Sequence, residues 1–500
     1  EYIQRLRDAV AIPSISAEAY RRPDCVRMVE HYQKQLVALG ADTEIRELGS
    51  QELPNGGGTI PIAPTLLGKL GRDPNKPTLG VYGHLDVQPA QKSDGWDTEP
   101  FELVEMEDGR LCGRGSSDDK GPALGWLAAI EAYQALGLEI PVNLVFCMEC
   151  MEESGSAGLQ DLIIDEADRY FASVQFWCIS DNYWLGTRKP CLVYGLRGIA
   201  VFHLSVEGPC SDLHSGTFGG AVREPMVDLV ALLGTLVGGD GQITIPGVME
   251  AVAPLTEQEK ERYSAIDFDV EGFRRTAGVD RLMPQHAQDV LMARWRYPSL
   301  SIHGVEGAHA GPGHKSVIPR KVIGKFSIRL VPDQTLQGTE EVVVAHIEKE
   351  IAKMNSPNKI KVWTDHGAAA FMSDPAHPNF QAAIEATKQV YGVTPDLIRS
   401  GGSIPITLIF QECTKRNVLL LPMGRGDDRN HAQNEKLDKS NFINGIKLMA
   451  AYLAELPKVA KPEPPGPPPP PPMEGDDAPP KRRKLLCICG NINFCDCTTC

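Results

Sequence analysis

Three apolar runs of strand length constrain this chain most, because each is followed at once by acidic residues or histidine. Thr78-Leu-Gly-Val-Tyr-Gly83, Val142-Asn-Leu-Val-Phe-Cys147 and Val174-Gln-Phe-Trp-Cys-Ile179 lack the polar alternation of a half-exposed strand. That is how strands covered on both faces read. Between the first two, Leu124, Ala128, Ala132 and Leu136 recur at i+4 steps, with Pro122 near the start and Gly137 at the stop, which predicts a helix over 121–136. Strands alternating with helices predict an α/β fold with a parallel or mixed sheet and helices on both faces.

The texture changes near residue 195. Val201–Val206 and Lys325–Val331 read as strands of a second sheet, and Arg223–Val237 and Glu340–Met354 as helices. The apolar α/β texture returns after about Arg399, with Ile404–Gln411, Val418–Pro422 and a helix over 440–456. The simplest organisation is one domain built from 1–194 and 400–457, with an inserted α+β domain over 195–399. Residues 458–500 form a separate tail: a proline run at 461–472, the basic Lys481-Arg-Arg-Lys484, and five cysteines between Cys487 and Cys500. Proline supplies no backbone donor, so this tail is expected to be disordered and to add nothing to the fold.

Composition excludes two function classes. Fifty Lys and Arg against 65 Asp and Glu give a net charge of −15, which argues against a nucleic-acid-binding body. No apolar run approaches the roughly 18 residues of a membrane span. The eight body cysteines show no paired framework and there is no Asn-X-Ser/Thr sequon, so a cytoplasmic location is expected.

The chemistry sits just past the strand ends, where ligand sites of open α/β sheets gather. His84 and Asp86 follow the first strand, Glu152 and Glu153 the second, and Asp181 the third; Asp118-Asp119 precede the helix, and His431 lies far downstream. Each motif alone is weak, since acids at helix starts and strand ends are usually caps or solvated charges. Together they supply enough ligands for two divalent metals bridged by a carboxylate.

Tyr82-Gly-His-Leu-Asp-Val-Gln-Pro89, Gly113-Arg-Gly-Ser-Ser-Asp-Asp-Lys-Gly-Pro122, Met151-Glu-Glu-Ser-Gly-Ser156 and Asp212-Leu-His-Ser-Gly216 resemble the two-metal exopeptidase family of carnosine dipeptidase, carboxypeptidase G and aminoacylase. Ile179–Trp184, Trp295–Ser299 and Gly324–Pro332 are most similar to its cytosolic non-specific and carnosine dipeptidase branch, and the likeness runs to about Pro457. The resemblance implies a mixed-sheet metallopeptidase domain with an inserted lid and dimerisation domain. It implies two divalent ions per subunit, Mn²⁺ or Zn²⁺: His84 and Asp181 on one, Glu153 and His431 on the other, and Asp118 on both. Asp86 would orient His84, and Glu152 would be the general base acting on a water between the metals. His214 would enter the site of the partner subunit in a homodimer. Ser316, Arg329, His366 and Ser403 match substrate-contact positions, with dipeptides as substrates. A cis bond is implied at Asp118–Asp119. Ser316 stands where the branch usually has Thr, Gly367–Phe371 departs beside His366, and Arg429-Asn430 precede His431 where small residues are expected; these departures bear on substrate preference. An N-acyl amino-acid hydrolase of the same family and a catalytically silent dimeric binding protein are the alternatives. An intact ligand set speaks against the second.

Overall fold

The computed structural model describes residues 1–53 and 57–460. The expectations for the proline run, the basic cluster and the terminal cysteines lie outside the described residues. No helix among the described residues is long and apolar enough to cross a membrane.

A nine-stranded mixed sheet forms the larger body. From one edge its strands are Asp42–Arg46, Thr65–Leu70, Asn143–Glu149, Thr78–His84, Phe176–Ile179, Val418–Leu420, Cys191–Leu196 and Phe371–Met372, with Asp396–Ser400 also paired to Cys191–Leu196. The four strands Asn143–Glu149, Thr78–His84, Phe176–Ile179 and Val418–Leu420 are parallel neighbours. Their C-terminal ends therefore open on one edge, and the segments that follow them emerge side by side.

Every residue of Thr78–His84 and of Asn143–Glu149 is buried, because helices cover both faces. Arg22–Ala38, Lys120–Ala135, Pro378–Tyr391 and Lys439–Val459 contribute Tyr32, Trp126, Phe380 and Tyr452 to one core. Leu159–Glu166 and Pro405–Thr414 enclose the other, where the Trp177 and Phe410 ring centroids lie 4.1 Å apart. A Cβ at Gly80 would fall 2.4 Å from the Trp177 ring, so glycine is what lets that indole lie across the neighbouring strand.

The second sheet is antiparallel, in the order Ser299–Glu306, Lys321–Leu330, Gly198–Glu207, Lys359–Ala368. Ala200, Phe202, Leu204 and Val206 face a core closed by the helices Pro225–Leu233 and Leu336–Met354. The alternate positions Ile199 and Val201 pair with Arg329 and His366 respectively, so these two polar side chains share the face turned away from the helices.

Strand pairing moves the far boundary of the insertion. The antiparallel sheet ends at Ala368, whereas Phe371–Met372 and Asp396–Ser400 pair with Cys191–Leu196 of the large sheet, and Pro378–Tyr391 packs on Lys439–Val459. The return comes near residue 370 rather than 399. In the middle stretch, Tyr263, Leu291 and Trp295 also join the second core of the large body.

Candidate metal centre

Glycine, a short extended segment and a turn bring the strand-end residues together. A Cβ at Gly83 would lie 2.8 Å from Asp119 Oδ2, so its absence lets that carboxylate approach and accept the His84 amide at 3.2 Å. The His84 ring is fully buried. Its Nδ1 lies 3.1 Å from the Asp86 carbonyl oxygen and 3.5 Å from Asp86 Oδ1. A donor at Nδ1 leaves the Nε2 lone pair for a metal. His84 Nε2 lies 3.0 Å from Asp118 Oδ1 and 3.7 Å from Asp181 Oδ2. The second oxygen of Asp118 lies 3.2 Å from His431 Nε2, which is also 3.0 Å from Glu153 Oε2. Two ligand groups result, His84–Asp118–Asp181 and Asp118–Glu153–His431, each with its donor atoms within 4.8 Å of one another. Asp118 is common to both. The Asp118–Asp119 peptide is cis, as the resemblance implies.

Asp86 does more than border His84. Its two carboxylate oxygens accept the backbone amides of Glu152 and Glu153 at 3.1 and 3.0 Å, which fixes the turn that presents both side chains. Gln88 Nε2 donates to Glu153 Oε2 at 2.8 Å.

The electrostatics are those of a cation site. Burial, reinforced by Asp181, Glu153 and Asp86, pushes the Glu152 carboxyl well above its usual range despite the opposing pull of His84. Burial also raises Asp181 to about 7. Hydrogen bonds to Asp118 and Glu153 raise His431 to about 11. Burial opposes a charge on His84, but Asp118 and Asp86 outweigh it and raise its pKa as well. Two imidazoles set among clustered buried carboxylates fit a pair of divalent ions: the donors are the N and O types that zinc and manganese accept, and the negative charge is in excess.

The segment carrying His431 adopts an unusual backbone. Arg429, His431 and Asn434 have φ of 57°, 59° and 61°, the left-handed region that disfavours side chains other than Gly, Asn and Asp. Neighbours hold it there. Asn434 Oδ1 accepts the Asp97 amide at 2.8 Å, and Asp428 Oδ2 accepts the Arg425 amide at 3.0 Å. Asp427, Asp428 and Asp438 form a third acidic group, but Lys436 Nζ sits 2.8, 2.7 and 2.5 Å from them and supplies the cation.

Glu435 is the main participant that sequence reasoning passed over. It is fully buried, and its carboxylate accepts the amides of Gly115, Ser117 and Asp118, each at 3.0 Å, and Arg114 Nη1 at 2.8 Å. It therefore ties Asp118, common to both candidate groups, to the segment that carries His431. The only sequence signal was its place four residues after His431, which by itself does not separate a structural acid from a solvated one.

The remaining sequence-derived candidates lie apart from this cluster. Arg329 Nη1 donates to Ser403 Oγ at 3.0 Å, and Ser403 donates to the Arg197 carbonyl at 2.5 Å. His366 is exposed beside Asp365, with Nδ1 3.0 Å from Oδ2. His214 is exposed; its Nδ1 accepts the Gly216 amide at 3.0 Å, which leaves Nε2 as the donor. His214 pairs with Val317, next to Ser316. Among the described residues, no hydrogen bond or ion pair links His214, Ser316, His366 or Arg329 to the two candidate ligand groups. Other histidines are packing partners, such as His346 on the Thr235 carbonyl at 3.0 Å and His303 on Ser327 Oγ at 2.7 Å.

The description "Peptidase family M20/M25/M40" matches residues 80–455. The chain belongs to that family. It is 50% identical over 460 residues to the Cys-Gly metallodipeptidase dug1 of Schizosaccharomyces pombe, covering 92% of this chain and 96% of that protein. To the human Beta-Ala-His dipeptidase it is 45% identical over 458 residues, covering 91% and 90%. Among solved structures, the di-peptidase Dug1p of Saccharomyces cerevisiae superposes with a TM-score of 0.84 at 50% identity over 91% of this chain and 96% of that one. Human carnosine dipeptidase 1 superposes with a TM-score of 0.84 at 44% identity over the same shares. The chain is accordingly a peptide hydrolase with the mixed-sheet catalytic body and inserted domain of this metallopeptidase family.

Proposed function

We propose that this protein is a dimetal dipeptidase, acting on dipeptides such as Cys-Gly or β-alanyl-His. The observation that carries the reading is Asp118, whose two oxygens face two different imidazoles at 3.0 and 3.2 Å. In this reading His84 and Asp181 hold one ion, Glu153 and His431 the other, and Asp118 both. The ions, Mn²⁺ or Zn²⁺, acidify a water and polarise the scissile carbonyl when bound. Glu152 takes the proton from the attacking water and delivers it to the leaving amine; a buried carboxyl with a raised pKa suits both halves of that task. Asp86 holds the turn that aims Glu152. The Arg329 guanidinium, steadied by Ser403, pairs with the substrate carboxylate, and His366 and Ser316 contact the rest.

His214 supplies an Nε2 donor to the oxyanion in the site of a partner subunit. Its exposure, and the absence among the described residues of a hydrogen bond or ion pair to the candidate ligands of its own chain, support a homodimer with shared sites. So do the edge strand Ser299–Glu306, which carries the exposed Ile302, and the exposed Val227 and Val230 of helix Pro225–Leu233. The eight described cysteines are all free, which supports the cytoplasm as location.

Assaying Cys-Gly, β-alanyl-His and an N-acetyl amino acid side by side tests the reading. The expected result is dipeptide hydrolysis that chelation abolishes and Mn²⁺ or Zn²⁺ restores. Preference for the N-acetyl amino acid would replace it with the acylase alternative, and inertness toward all three with the silent binding protein.

A further inference from the structure

A cavity lies along the ribbon that follows Asp181, and nothing in the dipeptidase reading uses it. It encloses about 400 Å³ between the ribbon that follows Asp181 and the helices Val270–Ala277 and Ala287–Trp295. Trp184, Phe268, Phe273, Trp295 and Ile398 give it apolar walls, and Arg294 lines it too.

Two residues that line this cavity each carry a buried donor without an acceptor. Arg294 Nη1 is buried without a hydrogen-bond partner, and so is Nε1 of Trp184, whose side chain is only 5% exposed. Arg294 forms no ion pair among the described residues. Its guanidinium carbon lies 4.5 Å from the Phe273 ring centroid, 5.7 Å from Trp295 and 5.9 Å from Phe268. Aromatic rings stabilise the flat face of a guanidinium, but its N–H donors lie in the plane and still need oxygen acceptors. The wall acids have other partners: Asp267 pairs with Arg188 at 2.7 Å, Asp269 caps Val270–Ala277 through the Gly272 amide at 2.8 Å, and Asp427 pairs with Lys436 at 2.8 Å. The other wall cations are matched as well: Lys189 pairs with Asp396 at 2.5 Å and Arg399 with Glu259 at 2.9 Å. Arg294 is the cation left over.

We propose that this cavity binds a small carboxylate with an apolar or aromatic body, its oxygens on Arg294 and Trp184 and its body against Phe268, Phe273 and Ile398. A planar oxyanion suits a guanidinium edge, and a buried pair of donors with no acceptor is costly until one arrives. The ribbon that walls the cavity begins at the metal ligand Asp181 and is bonded to the segment ahead of His431: the Trp184 amide donates to the Gly424 carbonyl at 2.9 Å, and the Gly426 amide to Gly186 at 3.1 Å. The site is thus contiguous with the metal centre but built from different side chains.

The probe is phenylacetate, titrated into the metal-loaded protein with tryptophan fluorescence and calorimetry as readouts. Saturable binding is expected, weakened about tenfold or more in Arg294→Met and less in Arg294→Lys, which keeps the charge and guards against a variant that fails to fold. Benzyl alcohol, which lacks the carboxylate, should bind far more weakly. Turnover of Cys-Gly should stay near wild type in both variants. Binding should also persist in Glu152→Ala protein saturated with Cys-Gly. Failure to saturate, equal affinity in folded Arg294→Met protein, or displacement of phenylacetate by the dipeptide would each overturn the proposal, the last by placing the probe in the metal centre. Because binding is the readout, the outcome does not depend on whether dipeptides prove to be the substrates.

Discussion

The large sheet and the small one hold the two halves of the proposed site in opposite ways. His84, Asp118 and Asp181 and their supports Asp86 and Glu435 are buried, mutually bonded and supplied by one chain, and His431 closes the group from an exposed position. In the half carried by the small sheet's domain, His366 on the sheet and His214 on a separate ladder with Val317–Ile318 are exposed, and among the described residues their side chains bond only to near neighbours in sequence. Parallel strands explain the first half: strand ends that open on one edge deliver their following residues to one place whatever lies elsewhere in the chain. An antiparallel sheet with one covered face explains the second, because its open face completes nothing until something lies against it. The metal half should therefore fail through chemistry when altered, and the small-sheet half through assembly and substrate affinity.

The largest effect belongs to the metal half. Glu152→Ala should leave metal content near wild type and lower kcat by about 10²–10⁴-fold, the span usual for a general acid–base. Metal analysis and turnover measured on the same preparation check this, and undiminished turnover would remove Glu152 from the mechanism. Next comes the small-sheet half. His214→Ala should lower kcat by about 10²–10³-fold, as loss of an oxyanion donor does. The comparison sharpens when inactive Glu152→Ala and His214→Ala chains are mixed. If sites are shared, a heterodimer has one intact site and activity returns. Confirmed subunit exchange with no activity regained would sink the shared-site reading.

Most of the metal half was legible in the sequence, and the reason is local. His84 and Asp86, Glu152 and Glu153, and Asp181 each sit within six residues of the end of an apolar run, so reading the strands was nearly enough to group them. His431 was harder, since its strand, Val418–Leu420, is only three residues long and the intervening backbone is left-handed at Arg429. The boundary at 399 was misplaced for a related reason. Phe371–Met372 is a two-residue strand whose membership in the large sheet shows only in its pairing to Cys191–Leu196. Glu435 shows no role in the sequence, because a carboxylate whose partners are backbone amides more than 300 residues away leaves no pattern there. The Arg294 cavity was invisible for the same reason: an unpaired guanidinium is defined by the partners it lacks.

Glu435 gives a third, smaller contrast within the metal half. Glu435→Ala would leave the amides of Gly115, Ser117 and Asp118 and the Arg114 guanidinium without their acceptor. Since it touches no reacting atom, its loss should appear as weaker metal binding, by about 10–100-fold, as for groups that orient ligands. Excess metal should then recover much of kcat. Calorimetric metal titration checks the affinity, with Glu435→Gln expected to lie between. Unchanged metal affinity in Glu435→Ala would show that Asp118 is held without it.

The smallest effect tests whether the small-sheet half sets affinity rather than rate. Ser403 Oγ accepts from Arg329 at 3.0 Å and donates to the Arg197 carbonyl at 2.5 Å, so one hydroxyl fixes the guanidinium against the backbone that leads into the small sheet. Ser403→Ala removes that restraint but leaves the charge. A hydrogen bond of this kind contributes about 1 kcal/mol, or roughly a five- to tenfold change in an equilibrium. The change should fall on KM, with kcat within about twofold of wild type, because ground and transition states hold the substrate carboxylate alike. A dipeptide amide, which lacks the carboxylate, should bind poorly to wild type and be almost indifferent to the substitution. If Ser403→Ala instead lowers kcat while KM stays fixed, Ser403 acts on the reacting centre, and the division between a metal half that performs the chemistry and a small-sheet half that holds the substrate does not stand.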